Sequence, residues 1–406
     1  MKRGNTWIGI FLLCLLTVFL TQQNVQQFLA IPDEIAIDEA LTPMQKKEVL
    51  QSGLKDNAEV TAVDETYAAV KTAGFPEKSI KIHSEERRQV IPGGESIGVT
   101  LQSKGVIIVG FHEIITENGR VSPAEEAGLK AGDIILEIDG ISMNSLDDVV
   151  SRLQAAKSGE TLTTRIKRGN ELLTKKIKAY ENDEGSVIGA YIRNAATGVG
   201  TLTFVDPQTK KYGALGHVIS DSDTKKPIAI KEGQIVSSSV NAIERGSNGH
   251  PGEKQAVLKS KDKLLGNVTK NSPFGIFGNW TGEEVLSKQA LPISKSNEVK
   301  KGPAKMRTVV EGQEVEEFDI EVVQTIPQLY PASKGMVIKV TDPDLLNRTG
   351  GIIQGMSGSP IIQNGKIIGA VTHVFVNDST TGYACHIEWM LNETNSSNVN
   401  NLKPAG

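Results

Sequence analysis

Gly350 to Val371 reads GGIIQGMSGSPIIQNGKIIGAV. A glycine pair leads through Gly355-Met356-Ser357-Gly358-Ser359-Pro360 into two apolar runs, which meet at Asn364-Gly365. Asn-Gly between apolar runs is the strongest short-range hairpin signal, so Ser357 stands on a glycine-lined turn just ahead of a buried β-hairpin. A serine nucleophile needs a sharp turn that exposes Oγ, and free N–H groups that can receive the charge of a tetrahedral intermediate. Gly355 and Gly358, lacking Cβ, permit that turn, and the N–H groups of Gly355 and Ser357 are the expected oxyanion hole. The alternative is a tight turn without chemistry, since serine and glycine are ordinary turn residues.

The GxSGxP pattern followed by a hairpin resembles the nucleophile region of chymotrypsin-like serine proteases, with Ser357 in the nucleophile position. Upstream, the apolar run at Tyr212 to Leu215 ends in Gly216-His217, where a general base is expected. Between the two, the strand-like run Val337 to Thr341 ends on Asp342. Histidine, acid and serine are therefore all present, in that order. Asp221 and Asp344 are the other acids within reach of these motifs. His373 and His386 have no acidic or cysteine partner at ligand spacing, so neither a metal nor a cofactor is expected. Cys385 has no glycine turn around it and is not expected to be a nucleophile.

The length of 406 residues suggests two or three domains. A net charge of -4 with no basic stripe argues against nucleic acid as a partner. Two cysteines, Cys14 and Cys385, cannot form a disulfide scaffold. Lys2 and Arg3 precede a nearly unbroken apolar run from Trp7 to Leu20, the pattern of an export signal or an uncleaved anchor. The basic start favours an N-terminus held on the cytoplasmic side, with the bulk of the chain outside the cytoplasm. From Ile31 to about Gly94 the chain is polar and without sustained period, which reads as a stalk or linker.

The segment AGLKAGDIILEIDG, Ala127 to Gly140, is close to the pattern of PDZ modules in bacterial proteases. Ser145 with Asp148 three residues on approaches a capping box, and Leu146, Val149, Val150 and Leu153 follow at helical spacing. Thr161 to Lys167 and Glu171 to Ala179 flank a turn at Arg168-Gly169-Asn170. The resemblance to a PDZ domain implies peptide binding. The carboxylate-binding loop would be Ser96, Ile97, Gly98 and Val99, with the peptide added as a strand beside Val99 to Leu101.

Beyond Tyr180 the chain is rich in short β-like runs separated by Gly, Asn, Pro and Ser, which favours barrels or sandwiches. The order PDZ then peptidase, the GALGHVISD segment around His217, and the run from Thr341 to Leu391 together resemble the SpoIVB peptidase family of endospore-forming bacteria. That resemblance implies His217 as general base, Ser357 as nucleophile and Asp342 as the acid orienting the histidine. It further implies export across the forespore membrane, self-cleavage, and cleavage of a membrane-embedded regulator that triggers processing of the sigma-K precursor.

The expected fold is mainly β. A PDZ domain of α+β type over 95–181 precedes a chymotrypsin-like double β-barrel peptidase domain over 185–392. A signal or membrane anchor spans 1–30, a stalk or linker 31–94, and a disordered tail 393–406. Two rival readings are a catalytically inactive PDZ adaptor and a housekeeping quality-control protease. The His217 and Ser357 pair argues against the first, and the leading position of the PDZ module against the second.

Overall fold

The computed structural model describes residues 21–38, 42–53, 58–85, 87–116, 119–182, 185–258, 264–328 and 330–395. The apolar run expected to enter the membrane, residues 7–20, and the tail residues 396–406 lie outside the described residues. Among the described residues no helix is long and apolar enough to cross a membrane. The chain divides into two compact units, Met1–Arg88 and Gln89–Gly406.

The first unit departs from the stalk expected over 31–94. Strands β1 (Glu34–Asp38), β2 (Ala58–Val63), β3 (Tyr67–Thr72) and β4 (Lys78–Glu85) form one sheet in the order β1-β4-β3-β2. A helix at Pro43–Gly53 brings Leu50 into a core with Ile37, Val60, Val70, Ile80 and Ile82. The period-two signal is weak in the sequence because several inward positions are only alanine, such as Ala58 and Ala68.

In the second unit, β5 (Gln89–Pro92) is followed by the 16-residue strand β6 (Ser96–Phe111). The hairpin β7 (Ile114–Thr116) and β8 (Gly119–Val121), a short helix at Pro123–Glu126, and strands β9 (Ile134–Ile138) and β10 (Ile141–Ser142) come next. The helix Leu146–Gln154 starts at Ser145, whose Oγ accepts from Asp148 N at 3.1 Å while the Asp148 carboxylate accepts from Ser145 N at 2.9 Å. The capping box read from the sequence is therefore complete. Val149 and Leu153 are buried by this helix, but Val150 is exposed.

Strands β11 (Thr161–Arg168) and β12 (Glu171–Lys178) close the hairpin expected at Gly169. After the small hairpin β13 (Tyr180–Asn182) and β14 (Gly185–Val187), the second 16-residue strand, β15 (Ala190–Val205), pairs along β6. Val106, Ile108, Ile135, Val149, Leu162 and Ile177 form the core of this PDZ-like layer.

The long strands β6 and β15 belong to two bodies at once. Their PDZ halves pair at Ile107 with Arg193 and Ile108 with Ile192, and β9 lies on the other side of β6 at Val106 and Ile107. Their other halves pair at Gly98 with Val199 and join β16 (Lys211–Ala214) and β17 (Ile230–Glu244). Strand β18 (Glu253–Leu258) extends from β17, and β19 (Leu264–Asn267), β20 (Lys270–Ser272) and β21 (Gly275–Asn279) curl the sheet round. Ile97, Val99, Leu202, Tyr212, Ile235 and Ile276 fill it.

One expectation is corrected here. In sequence the PDZ elements come ahead of most of the peptidase strands, and in space they lie between β6 and β15, two neighbouring strands of the first curled sheet. Ser96, Ile97, Gly98 and Val99 do not form a carboxylate-binding loop. They lie mid-sheet, with Gly98 paired to Val199 on one side and Val236 on the other, so no edge is left for a peptide. Gly98 serves packing instead, since a Cβ there would fall 2.4 Å from Leu258 Cδ2.

After β22 (Leu291–Pro292), which pairs with β5, a closed barrel is formed by six strands. These are β23 (Gly302–Thr308), β24 (Glu316–Thr325), β25 (Met336–Val340), β26 (Pro360–Gln363), β27 (Lys366–Phe375) and β28 (Asp378–His386). Met306, Phe318, Ile320, Met336, Ile338 and Ile368 are among its buried core. The hairpin expected at Asn364-Gly365 is β26–β27. A helix at Ile387–Asn395 covers residues 393–395 of the expected tail.

Removing the capping hydroxyl with Ser145→Ala should cost about 1 kcal/mol, seen as a lower urea midpoint, while Ser145→Asp should keep most of it.

Candidate active site

Ser357 lies on the link between the Pro343–Thr349 helix and β26. The turn is held by Met356 N donating to Ile353 O, Ser359 N to Met356 O, and Gly358 N to Val371 O. Gly355 at φ +90 and Gly358 at φ +94 occupy the left-handed region that glycine tolerates. At Gly358 the demand is also spatial: a Cβ would sit 2.2 Å from Thr201 O and 2.4 Å from Leu215 N.

Three of the turn's carbonyls are taken by β15. Thr201 Oγ1 donates to Gly355 O at 2.8 Å, Thr201 N to Ser357 O at 3.0 Å, and Thr203 Oγ1 to Gly358 O at 2.7 Å. Among the described residues, no acceptor claims the N–H groups of Gly355 and Ser357. These are the two amides expected to receive an oxyanion.

His217 follows β16 through Leu215 at φ 71 and Gly216 at φ +70. A leucine in the left-handed region is strained by about 1–3 kcal/mol, a cost commonly found beside functional residues. Nδ1 of His217 lies 2.9 Å from Val218 O. A carbonyl can only accept, so Nδ1 carries the proton and Nε2 is left as the base. Burial lowers the His217 pKa, against a smaller raising effect of the Val218 carbonyl.

Ser357, His217, Thr372, His373, Gly355 and Lys254 line one cleft of about 730 Å³. In this state Ser357 Oγ donates to Thr372 O at 3.1 Å, so the nucleophile rests on a backbone carbonyl. The His373 ring lies 5.4 Å from that of His217. Burial first, then the nearby His217 and Lys334, lower its pKa.

The structure does not bring Asp342 to His217. Asp342 caps the Pro343–Thr349 helix, its carboxylate accepting from Asp344 N at 2.9 Å, Leu345 N at 3.0 Å and Asp319 N at 3.1 Å. Burial works against its charge, but the Leu345, Asp319 and Asp344 amides outweigh that and hold its pKa below the usual carboxylate value. The other acids are engaged similarly: Asp221 accepts from Thr224 N and faces Arg193, and Asp344 faces Arg348. Helix-capping chemistry and triad chemistry ask for the same residue type, which is why sequence could not separate them.

Cys385 is buried and its thiol is pushed up to about 12 by that burial, which leaves it inert. Among the described residues no group of three His, Cys, Asp or Glu side chains could hold a metal ion. Sequence reading missed Thr201, Thr203, Thr372 and Lys254, since nothing in a β-run marks which polar residue turns inward.

A serine on a glycine turn, a histidine of fixed tautomer and two unclaimed amides, gathered in one cleft between two β-layers, are the parts of a serine peptidase site. The SpoIVB peptidase S55 family model matches residues 184–391, just over half of the chain, and a PDZ domain model matches 96–179. The chain belongs to the SpoIVB peptidase S55 family and carries a PDZ domain. It is 42% identical over 64 residues to a putative zinc metalloprotease of Clostridium perfringens, covering 16% of this chain and 19% of that one. It is 34% identical over 93 residues to the putative serine protease HhoB of Synechocystis, covering 23% and 20%. The matched stretches thus span about a fifth of these curated relatives. A crystal structure of a protease from M. tuberculosis in its active form is similar at 13% identity and a TM-score of 0.29, over 52% of this chain and 78% of that one.

Substitutions at two positions test the geometry. Gly358→Ala should destabilise by more than about 1 kcal/mol and abolish reaction of Ser357 with a fluorophosphonate probe. Asp342→Ala should cost about 1 kcal/mol, whereas Asp342→Asn, whose oxygen still accepts from Asp344 N and Leu345 N but whose amide cannot accept from Asp319 N, should recover part of that and keep probe labelling. An orienting acid would instead lose labelling in the asparagine variant.

Proposed function

We propose that this chain is a serine endopeptidase whose nucleophile is Ser357 and whose general base is His217. The observation that carries this reading is the unclaimed amide pair of Gly355 and Ser357, beside a serine that shares its cleft with a histidine protonated on Nδ1. The reaction is acyl transfer. Ser357 Oγ leaves Thr372 O, passes its proton to His217 Nε2 and attacks the scissile carbonyl. The two amides receive the oxyanion, each worth about 3 kcal/mol of barrier. The imidazolium then protonates the leaving amine, and water releases the acyl group by the same steps in reverse roles. The Val218 carbonyl orients the imidazole, the task given to a carboxylate in the usual triad.

Family membership supports a signalling role in sporulation. In that role the peptidase is exported across the forespore membrane, remains anchored or is released by cleavage, and cleaves itself. It also cleaves a membrane-embedded regulator, which triggers intramembrane processing of the sigma-K precursor. The PDZ module takes peptide C-termini or internal segments, through an edge other than that of β6. A second reading, a PDZ adaptor that signals by binding alone, draws on the resting contact of Ser357 with Thr372.

Fluorophosphonate labelling followed by mass spectrometry decides between the two. The enzyme reading expects label on Ser357, lost in Ser357→Ala and His217→Ala with the fold unchanged. The adaptor reading expects no label on folded protein, with or without an added regulator peptide.

A further inference from the structure

Lys254 is the second residue of β18, beside the nucleophile turn. Its N–H donates to Gln354 O at 3.0 Å, so this end of β18 runs alongside the residues that lead into Ser357. Strand alternation turns Glu253 outward and Lys254 inward, and the lysine is only 2% exposed. Its stem passes against Gly355, where a Cβ would sit 3.1 Å from both Lys254 Cβ and Cδ. Nζ ends at Thr308 Oγ1, 2.8 Å away, on a fully buried residue of the closed barrel.

Among the described residues no carboxylate pairs with this amine. On β17, Lys231, Glu232 and Glu244 are exposed, as is Glu253 on β18. On β23, Lys305 pairs with Asp319 and Arg307 with Glu317. Residues 350–358 carry no charge, and His217 and His373 face the shared cleft. An apolar side chain could fill this space without the cost of burying an amine, so the amine itself calls for an explanation.

We propose that Lys254 is a positioning residue for the peptidase reaction: its stem props the Gly355–Ser357 turn, and its amine, tied to Thr308, keeps the prop seated. The inference rests on the assignment of Ser357 as nucleophile and of the two amides as oxyanion donors. Burial lowers the Lys254 pKa to about 7. One hydroxyl satisfies an amine but not an ammonium, so acidification draws Nζ toward the water of the cleft, past Gly355, and loosens the turn. The site is firm above neutral pH and slack below it.

The test uses the full chain and a saturable fluorophosphonate, with kinact and KI measured between pH 5.5 and 9. In the wild type, kinact should fall with a midpoint near pH 7, as Lys254 and then His217 take up protons. In Lys254→Met the limb should move below pH 6.5, to the histidine alone, with kinact at pH 8 reduced several-fold. In Lys254→Ala, kinact should drop on the order of tenfold to a hundredfold with little change in KI. A methionine profile superimposed on the wild type, or an alanine variant reacting at the wild-type rate, overturns the proposal. Label persisting in Ser357→Ala overturns the nucleophile assignment instead.

Thermal unfolding gives a readout that does not depend on reactivity. Between pH 7 and the unfolded lysine value of about 10.4, the unfolded chain binds the extra proton, so wild-type stability must rise with pH relative to Lys254→Met. A constant difference between the two proteins across that window also rules the proposal out.

Discussion

Everything at the catalytic centre depends on how closely β15 approaches the nucleophile turn. Thr201 and Thr203 bind three groups of that turn, the carbonyls of Gly355, Ser357 and Gly358, and Gly358 leaves no room for a side chain between the two layers. By consuming the carbonyls, β15 fixes the peptide planes and so leaves the amides of Gly355 and Ser357 unclaimed. The unclaimed amide pair is therefore made by a turn of the closed barrel and shaped by a strand of the curled sheet. Neither layer could form it alone.

The resting contact of Ser357 with Thr372 O has a modest energy. A neutral hydrogen bond of this kind contributes about 1 kcal/mol net, so exchanging it for one to His217 is within easy reach of substrate binding. The strained Leu215 and the desolvated imidazole mark the histidine side as the place where local stability has been given up for function.

The nucleophile region was readable from sequence because glycine, proline and Asn-Gly constrain the backbone in ways few other residues do. Ser357, Gly355, Gly358 and the β26–β27 hairpin all follow from them, and the capping box at Ser145 was equally local. The acid was not readable, because Asp342 after a strand and before Pro343 has the same pattern whether it caps a helix or orients a histidine. The first unit escaped notice since alanine, as at Ala58 and Ala68, fills some of its inward strand positions and weakens the period-two signal. Ser96 to Val99 misled for a different reason: the segment resembles the opening of a PDZ domain, but pairing on both sides, decided by residues a hundred positions away, makes it an interior strand of the curled sheet. Lys254 shows the same limit, since burial of a lone lysine is settled only by tertiary contacts.

The nesting of the PDZ module inside a strand pair also governs how the chain can assemble. Gln102 must meet Ala195, and holding together the ends of so long a flexible connection costs about 4 kcal/mol in chain entropy. If the inserted module condenses first, its own packing brings Ser103 within 3.2 Å of Asn194, and the barrel inherits a closed loop. The module emerges during synthesis before most of the barrel does, so the order of translation matches the order that entropy favours. On this view a mutation in the PDZ core, far from Ser357, slows the arrival of an active peptidase even where it leaves the finished site untouched.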